Sequence, residues 1–175
     1  MEACEQTKGM NIIQHGQMVH AHYQLLIKQL ESSFHDCKEL QQLWTKFGRT
    51  LPHPSILERY HVYHDCGKHL CLQTDENGRR RFPNHAECSA QQYAHIFPED
   101  GFTAALIRHD MDFHLMRGDD LKQLWKSPFA PILYFTAWAE ISANAEMFGG
   151  RESESYKIKR SRLIQAAKKF INTKE

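Results

Sequence analysis

No apolar run in this chain approaches the roughly 20 residues that a bilayer-spanning helix needs; stretches such as Ala104–Ile107 and Ala137–Ala139 are a fraction of that. A transmembrane segment is therefore not expected. The opening residues MEACEQTKGM carry charges of both signs and lack an apolar stretch ending in small residues, so no secretory signal is read there and the cytosol is the expected location. Cysteine is scarce and odd in number. Cys4, Cys37, Cys66, Cys71 and Cys88 include no Cys-x-x-Cys unit and leave at least one thiol over in any disulfide scheme, which points to reduced thiols. Alternating β-branched runs are missing too, as are internal repeats, low-complexity tracts and a clear linker. What remains, 175 residues of which 41% are hydrophobic, suits one domain, and residues 1–175 are read as a single all-α bundle.

The helices are read from apolar spacing and from breakers. Ile12, Ile13, Met18, Val19, Tyr23, Leu26, Ile27 and Leu30 recur at helical intervals and predict a long first helix ending near Ser32 or Ser33. A second runs from about Asp36 to Phe47, and Ser55 is expected to cap a third that leads to His64-Asp65, stopped by Gly67. Gln73–Pro83, with its Asn77-Gly78 turn signal, reads as a surface loop. Asn84 and Glu87 after it resemble a capping box that puts His85 in the first turn of the next helix. Further helices are expected over Gly101–Asp112, Asp119–Lys126, Pro131–Phe148 and Ser153–Asn172.

What the chain does have is histidine, twelve in all, and histidine is the commonest metal ligand. The informative ones stand at helix starts and ends: His15, His64 beside Asp65, His85, and His109-Asp110 with His114. Side chains from separate helices converge most readily there. A hydrolytic centre needs imidazoles and carboxylates around one or two divalent cations with a position open to water. Asp65 is the natural bridging ligand, having two oxygens where an imidazole offers one nitrogen. His20 and His22 rival His15 on the same predicted helix. Net charge is only +1, but residues 151–175 hold eight Lys or Arg against three Glu, so the last helix is locally basic. A solvated helix face and a nucleic-acid contact are both compatible with that.

These residues resemble a known pattern. His64-Asp65-Cys66-Gly67-Lys68 is similar to the His-Asp-x-Gly-Lys signature of the HD superfamily, and Gln14-His15-Gly16-Gln17-Met18-Val19 to its first-histidine motif. Phe82-Pro83-Asn84-His85-Ala86-Glu87 and Arg108-His109-Asp110-Met111-Asp112-Phe113-His114 follow in the order of the extra histidine motifs of its multi-metal branches. The likeness covers roughly residues 12 to 145. Its motif layout is similar to the HD domains of bacterial CCA-adding tRNA nucleotidyltransferases and of HD-type RNA end-healing phosphatases. One departure stands out: where that family has Ala-Asp on a late helix, this chain has Ala139-Glu140, with Asn144 one turn further on.

The resemblance implies a helical HD bundle with the metal site between helices, and a metal-dependent phosphatase or phosphodiesterase. Its substrate would be a phosphorylated small molecule, a nucleotide or an RNA end. His15, His64, Asp65, His85, His109 and Glu140 would hold one or two divalent ions (Mn, Ni, Co, Mg or Fe). Lys68 would bind a phosphate oxygen and counter charge in the transition state, and His114 would protonate the leaving oxygen. Arg79, Arg80 and Arg81 are read either as a phosphate clamp or as a solubilising loop. Rival readings are a hydrolase of a cyclic or oligonucleotide signal, a nucleotide-binding module with a degenerate site, and a di-iron oxygenase.

Overall fold

A computed structural model describes residues 5–7 and 9–172; Cys4 lies outside them. In chain order the elements are strands β1 (Glu5–Thr7) and β2 (Met10–Asn11), helices α1 (Ile12–Glu31), α2 (Lys38–Phe47) and α3 (Pro54–Tyr63), and strands β3 (Gln73–Thr74) and β4 (Arg80–Arg81). Helices α4 (His85–Ile96), α5 (Gly101–Arg108), α6 (Asp112–Leu115), α7 (Gly118–Leu124), α8 (Ala130–Ala143) and α9 (Glu154–Ile171) complete the order. The protein is thus predominantly helical, and no described helix is long and apolar enough to cross a membrane. The all-α expectation needs one correction, because β1–β2 and β3–β4 form two short antiparallel ladders. Ladders of two or three residues are too short to leave a visible alternation.

The chain divides into two compact units. One comprises the residues up to Met18 together with His53–Met111, and the other Val19–Pro52 with the residues from Asp112 onward.

In the first unit α5 packs against α3 and α4. Buried Tyr60, Ala90, Tyr93, Leu106 and Ile107 supply the apolar interior, and Tyr63, Tyr93 and Phe97 meet as rings at 4.8–5.8 Å. Asp100 ties three parts of the unit together. Its side chain caps α5 through Thr103 N at 3.1 Å, and accepts from Arg59 on α3 and Tyr93 on α4, each at 2.8 Å. Helix α3 starts two residues earlier than its sequence suggests, with His53 as the cap in place of Ser55, its Nδ1 accepting from Ser55 N, and Pro54 in the first turn, where a missing N–H costs nothing.

The capping box at Asn84 does not form. Asn84 sits in the left-handed region at φ 54°, which asparagine tolerates, and its side chain makes no cap bond. Glu87 is drawn away by Arg108, 2.7 Å from its carboxylate, so it has no reason to reach back. The Gln73–Pro83 loop also has more order than its polarity suggested. Asp75 Oδ1 accepts from the backbone of Asn77 and Arg79, Gly78 takes φ +74°, and β3 pairs with β4 around that turn.

In the second unit α8 is buried on almost every side, as a helix apolar all round must be. It packs against α6 and α9, and α9 against α2. Two of the unit's buried polar tips are matched: Tyr134 donates to Leu163 O at 3.0 Å and Trp125 Nε1 to Ala166 O at 3.1 Å. The remainder of α1 presents Val19, Tyr23, Leu26 and Leu30 inward. The expected Pro131–Phe148 helix breaks after Ala143, leaving a 3-10 turn at Glu146–Phe148.

Two measurements test this account. Partial burial opposes ionisation of Asp100, yet Tyr93, Thr103 and Arg59 hold its carboxyl below the usual carboxylate range. A depressed folded pKa contributes stability that is fully present above the unfolded value near ~3.9 and disappears as pH falls through the folded value. Asp100→Ala is expected to cost about 1–2 kcal/mol in urea unfolding at pH 7, with the gap from wild type closing as pH drops below about 4. The second concerns Gly67, where a Cβ would lie 2.4 Å from backbone atoms of Cys88 and Ser89, too close for any side chain. Gly67→Ala should cost about 1–3 kcal/mol in the same assay.

Candidate metal centre

Three elements of the first unit bring His15, Asp65 and His85 together, and two glycines allow the approach. Gly16, next to His15, faces the backbone of α3: a Cβ there would stand 2.5 Å from Val62 O and 2.6 Å from His61 O. Gly67, two residues past Asp65, lies against the first turns of α4 in the same way, and its N–H donates to Ser89 Oγ at 3.0 Å. Cys66 adds a contact from Sγ to Ser89 O at 3.3 Å. The His-Asp segment is therefore fastened to the helix that carries His85, and the α1 start sits flush on the helix that ends at His64.

At the centre is Asp65, 1% exposed. Its Oδ2 lies 2.6 Å from Lys68 Nζ, 3.3 Å from His64 Nε2 and 3.8 Å from His15 Nε2. Its Oδ1 lies 3.7 Å from His85 Nε2 and accepts no hydrogen bond among the described residues. Burial opposes ionisation, but His64, Lys68 and His85 more than offset it and hold the carboxyl well below the usual carboxylate range. Lys68 is itself buried, with its ammonium 5.5 Å from the centre of the Phe82 ring.

The imidazole protons follow from what each ring faces. His64 Nδ1 is 2.7 Å from His61 O, and His85 Nδ1 is 3.1 Å from Phe82 O. A carbonyl oxygen only accepts, so each Nδ1 carries the proton and donates. In the neutral imidazole the Nε2 lone pair is then directed to the Asp65 side. A lone pair set against a carboxylate at 3.3 Å is repulsive unless a proton or a cation stands between them. Metal-ligating histidines have this arrangement, with the far nitrogen fixed by a backbone carbonyl.

The donor set fits a divalent ion. His15, His64 and Asp65 offer ligand atoms that all lie within 4.8 Å of one another, and all three are buried. Donors bound at about 2.1 Å to one cation can be at most about 4.2 Å apart, and the His15 and His64 nitrogens satisfy this relative to Asp65 Oδ2. Imidazole nitrogen with carboxylate oxygen suits first-row transition ions such as Mn, Fe, Co and Ni, the charged carboxylate helping to hold them.

Asp110 is a residue the sequence reading passed over in favour of its neighbour. It is 4% exposed, accepts a hydrogen bond from the buried Tyr60 hydroxyl, and places a carboxylate oxygen within 4.8 Å of a His64 nitrogen. His109 ends α5, is half-buried, and acts electrostatically on Glu87. It belongs to no group of converging ligand atoms among the described residues. The signal that favours Asp110 is its place one residue past a helix end whose inward face is Leu106 and Ile107. Arg79, Arg80 and Arg81 are exposed on the β3–β4 hairpin, and Arg81 has Asp75 at 3.9 Å.

His114 and Glu140 belong to the second unit, where His114 Nε2 and Glu140 Oε2 are 2.8 Å apart. Asn144, mostly buried, ends α8. Of the rivals to His15, His20 and His22 both lie in the second unit, with His20 half-buried. Cys66, next to Asp65, is unsuited to nucleophilic work: burial first, then the Asp65 charge, push its thiol up to about 12.

No model of a known protein family matches the chain, and no curated protein matches it. The centre therefore rests on its own geometry. Mn(II) added to the metal-free protein should raise the Tm and bind in stoichiometric amount by calorimetry. Asp65→Asn, the same shape without the charge, should abolish both responses; retention of full affinity would exclude Asp65 as a ligand.

Proposed function

We propose that this protein is a metal-dependent phosphohydrolase acting on a phosphate monoester or a cyclic phosphodiester of a nucleotide or RNA end. The observation that carries the reading is a buried Asp65 carboxyl ringed by His15, His64 and His85, with Lys68 in direct contact. The succession of motifs similar to the HD superfamily supports the same chemistry.

The residues divide the work. His15, His64 and Asp65 would hold the ion, with His85 on the other carboxylate oxygen. A divalent ion so held supplies positive charge to phosphoryl oxygens and acidifies a water for attack on phosphorus. The carbonyls of His61 and Phe82 keep the His64 and His85 rings in the tautomer that presents Nε2, so no reorientation is needed during reaction. Lys68 is suited to meet charge that develops on a non-bridging oxygen, since its ammonium is already dehydrated beside Asp65 and Phe82. Asp110, hydrogen-bonded by Tyr60, is placed to bind an ion near His64 or to take a proton there.

The test is turnover of p-nitrophenyl phosphate, nucleoside monophosphates and 2′,3′-cyclic nucleotides by the full chain with Mn, Ni, Co, Mg or Fe. Metal-dependent phosphate release is expected. Asp65→Asn should reduce it to background and Lys68→Ala by about a hundredfold. Absence of release with every metal and substrate class, or release unaffected by Asp65→Asn, would overturn the proposal.

A further inference from the structure

The second unit contains a cavity of about 520 Å³, within the range of small-molecule sites. It is built from α1, the turn after it, α8 and the start of α9, so none of its lining comes from the residues around Asp65. Its charges are unevenly satisfied. Arg160 has Asp36 at 3.4 Å and lies 5.7 Å from the Trp138 ring centre, while Lys157 has Glu152 at 3.3 Å. Arg151 has no carboxylate within ion-pair distance among the described residues; it faces His22, whose imidazole burial and the Arg151 charge both hold below its usual value. Three permanent cations against two carboxylates leave an excess of one positive charge on the wall.

An aromatic ring stands exposed at the same cavity. Ser33 ends α1 in the left-handed region at φ 57°, a conformation that costs a residue with a side chain more than it would cost glycine. The consequence is that Phe34, its N–H bonded to Gln29 O at 3.0 Å, is held 87% exposed against the cavity, with half-exposed Leu25 also on the lining. A ring so displayed on the same lining as Arg151 matches a planar compound bearing one phosphate. The single excess charge favours a monophosphate over a polyanion.

We infer that this cavity is a second ligand site, for a nucleoside-monophosphate-like compound whose phosphate pairs with Arg151 and whose ring lies on Phe34. The inference is independent of the phosphohydrolase reading, and the experiment keeps them apart.

AMP is titrated by calorimetry into full-length Asp65→Asn protein in EDTA, alongside adenosine and inorganic phosphate. Saturable AMP binding with Kd below about 1 mM is expected, at least about tenfold tighter than either fragment. In that background Arg151→Gln should weaken AMP by about tenfold or more, and Phe34→Ser should weaken AMP while leaving the phosphate response unchanged. Both positions are solvent-exposed, and unchanged circular dichroism checks folding. No saturable AMP binding, or binding indifferent to Arg151→Gln, overturns the site whatever the phosphatase assays give.

Discussion

A carboxylate buried to 1% exposure must be compensated or it will take up a proton, and the first unit is organised around that requirement at Asp65. Lys68 supplies a full charge three residues later, and His64 and His85 direct ring nitrogens to opposite oxygens. His64 and Lys68 are local to Asp65, whereas His15 and His85 are brought into reach by close backbone contacts between elements. The glycines at 16 and 67 belong to the site as much as the candidate ligands do, because each removes a side chain where two backbones meet.

The same economy appears in the backbone carbonyls. His61 O, beneath His64, and Phe82 O, beneath His85, lie outside the candidate ligand set, yet they determine which nitrogen each imidazole presents. His61 is itself fully buried, so the end of α3 is pinned on both sides. The proposed hydrolytic role would gain from this rigidity, since dipoles already oriented need not move when charge develops on a substrate.

The second unit answers a different constraint. Helix α8 is apolar on nearly all faces and must be enclosed, and α6 and α9 enclose it. The basic residues of α9 then divide by position. Lys168 meets Glu39 at 3.3 Å, whereas Lys157 and Arg160 line the cavity with Arg151. A tail that reads simply as basic thus carries separate surfaces with separate chemistry.

Helix positions, the ordered run of histidine motifs and the weight on His64-Asp65 were legible in the sequence, because apolar periodicity and breakers act locally and ligand spacing follows from them. Other features depended on distant partners. The Asn84–Glu87 cap was lost to Arg108, an ion pair across 21 residues of chain. Asp110 joined the converging groups beside the expected His109, because its burial and its bond to Tyr60 are set by packing. Composition and spacing determined which side chains were available for a metal centre. The tertiary structure decided which of them face Asp65, because burial, close backbone approach and the carbonyl beneath each ring are set between elements and not along them.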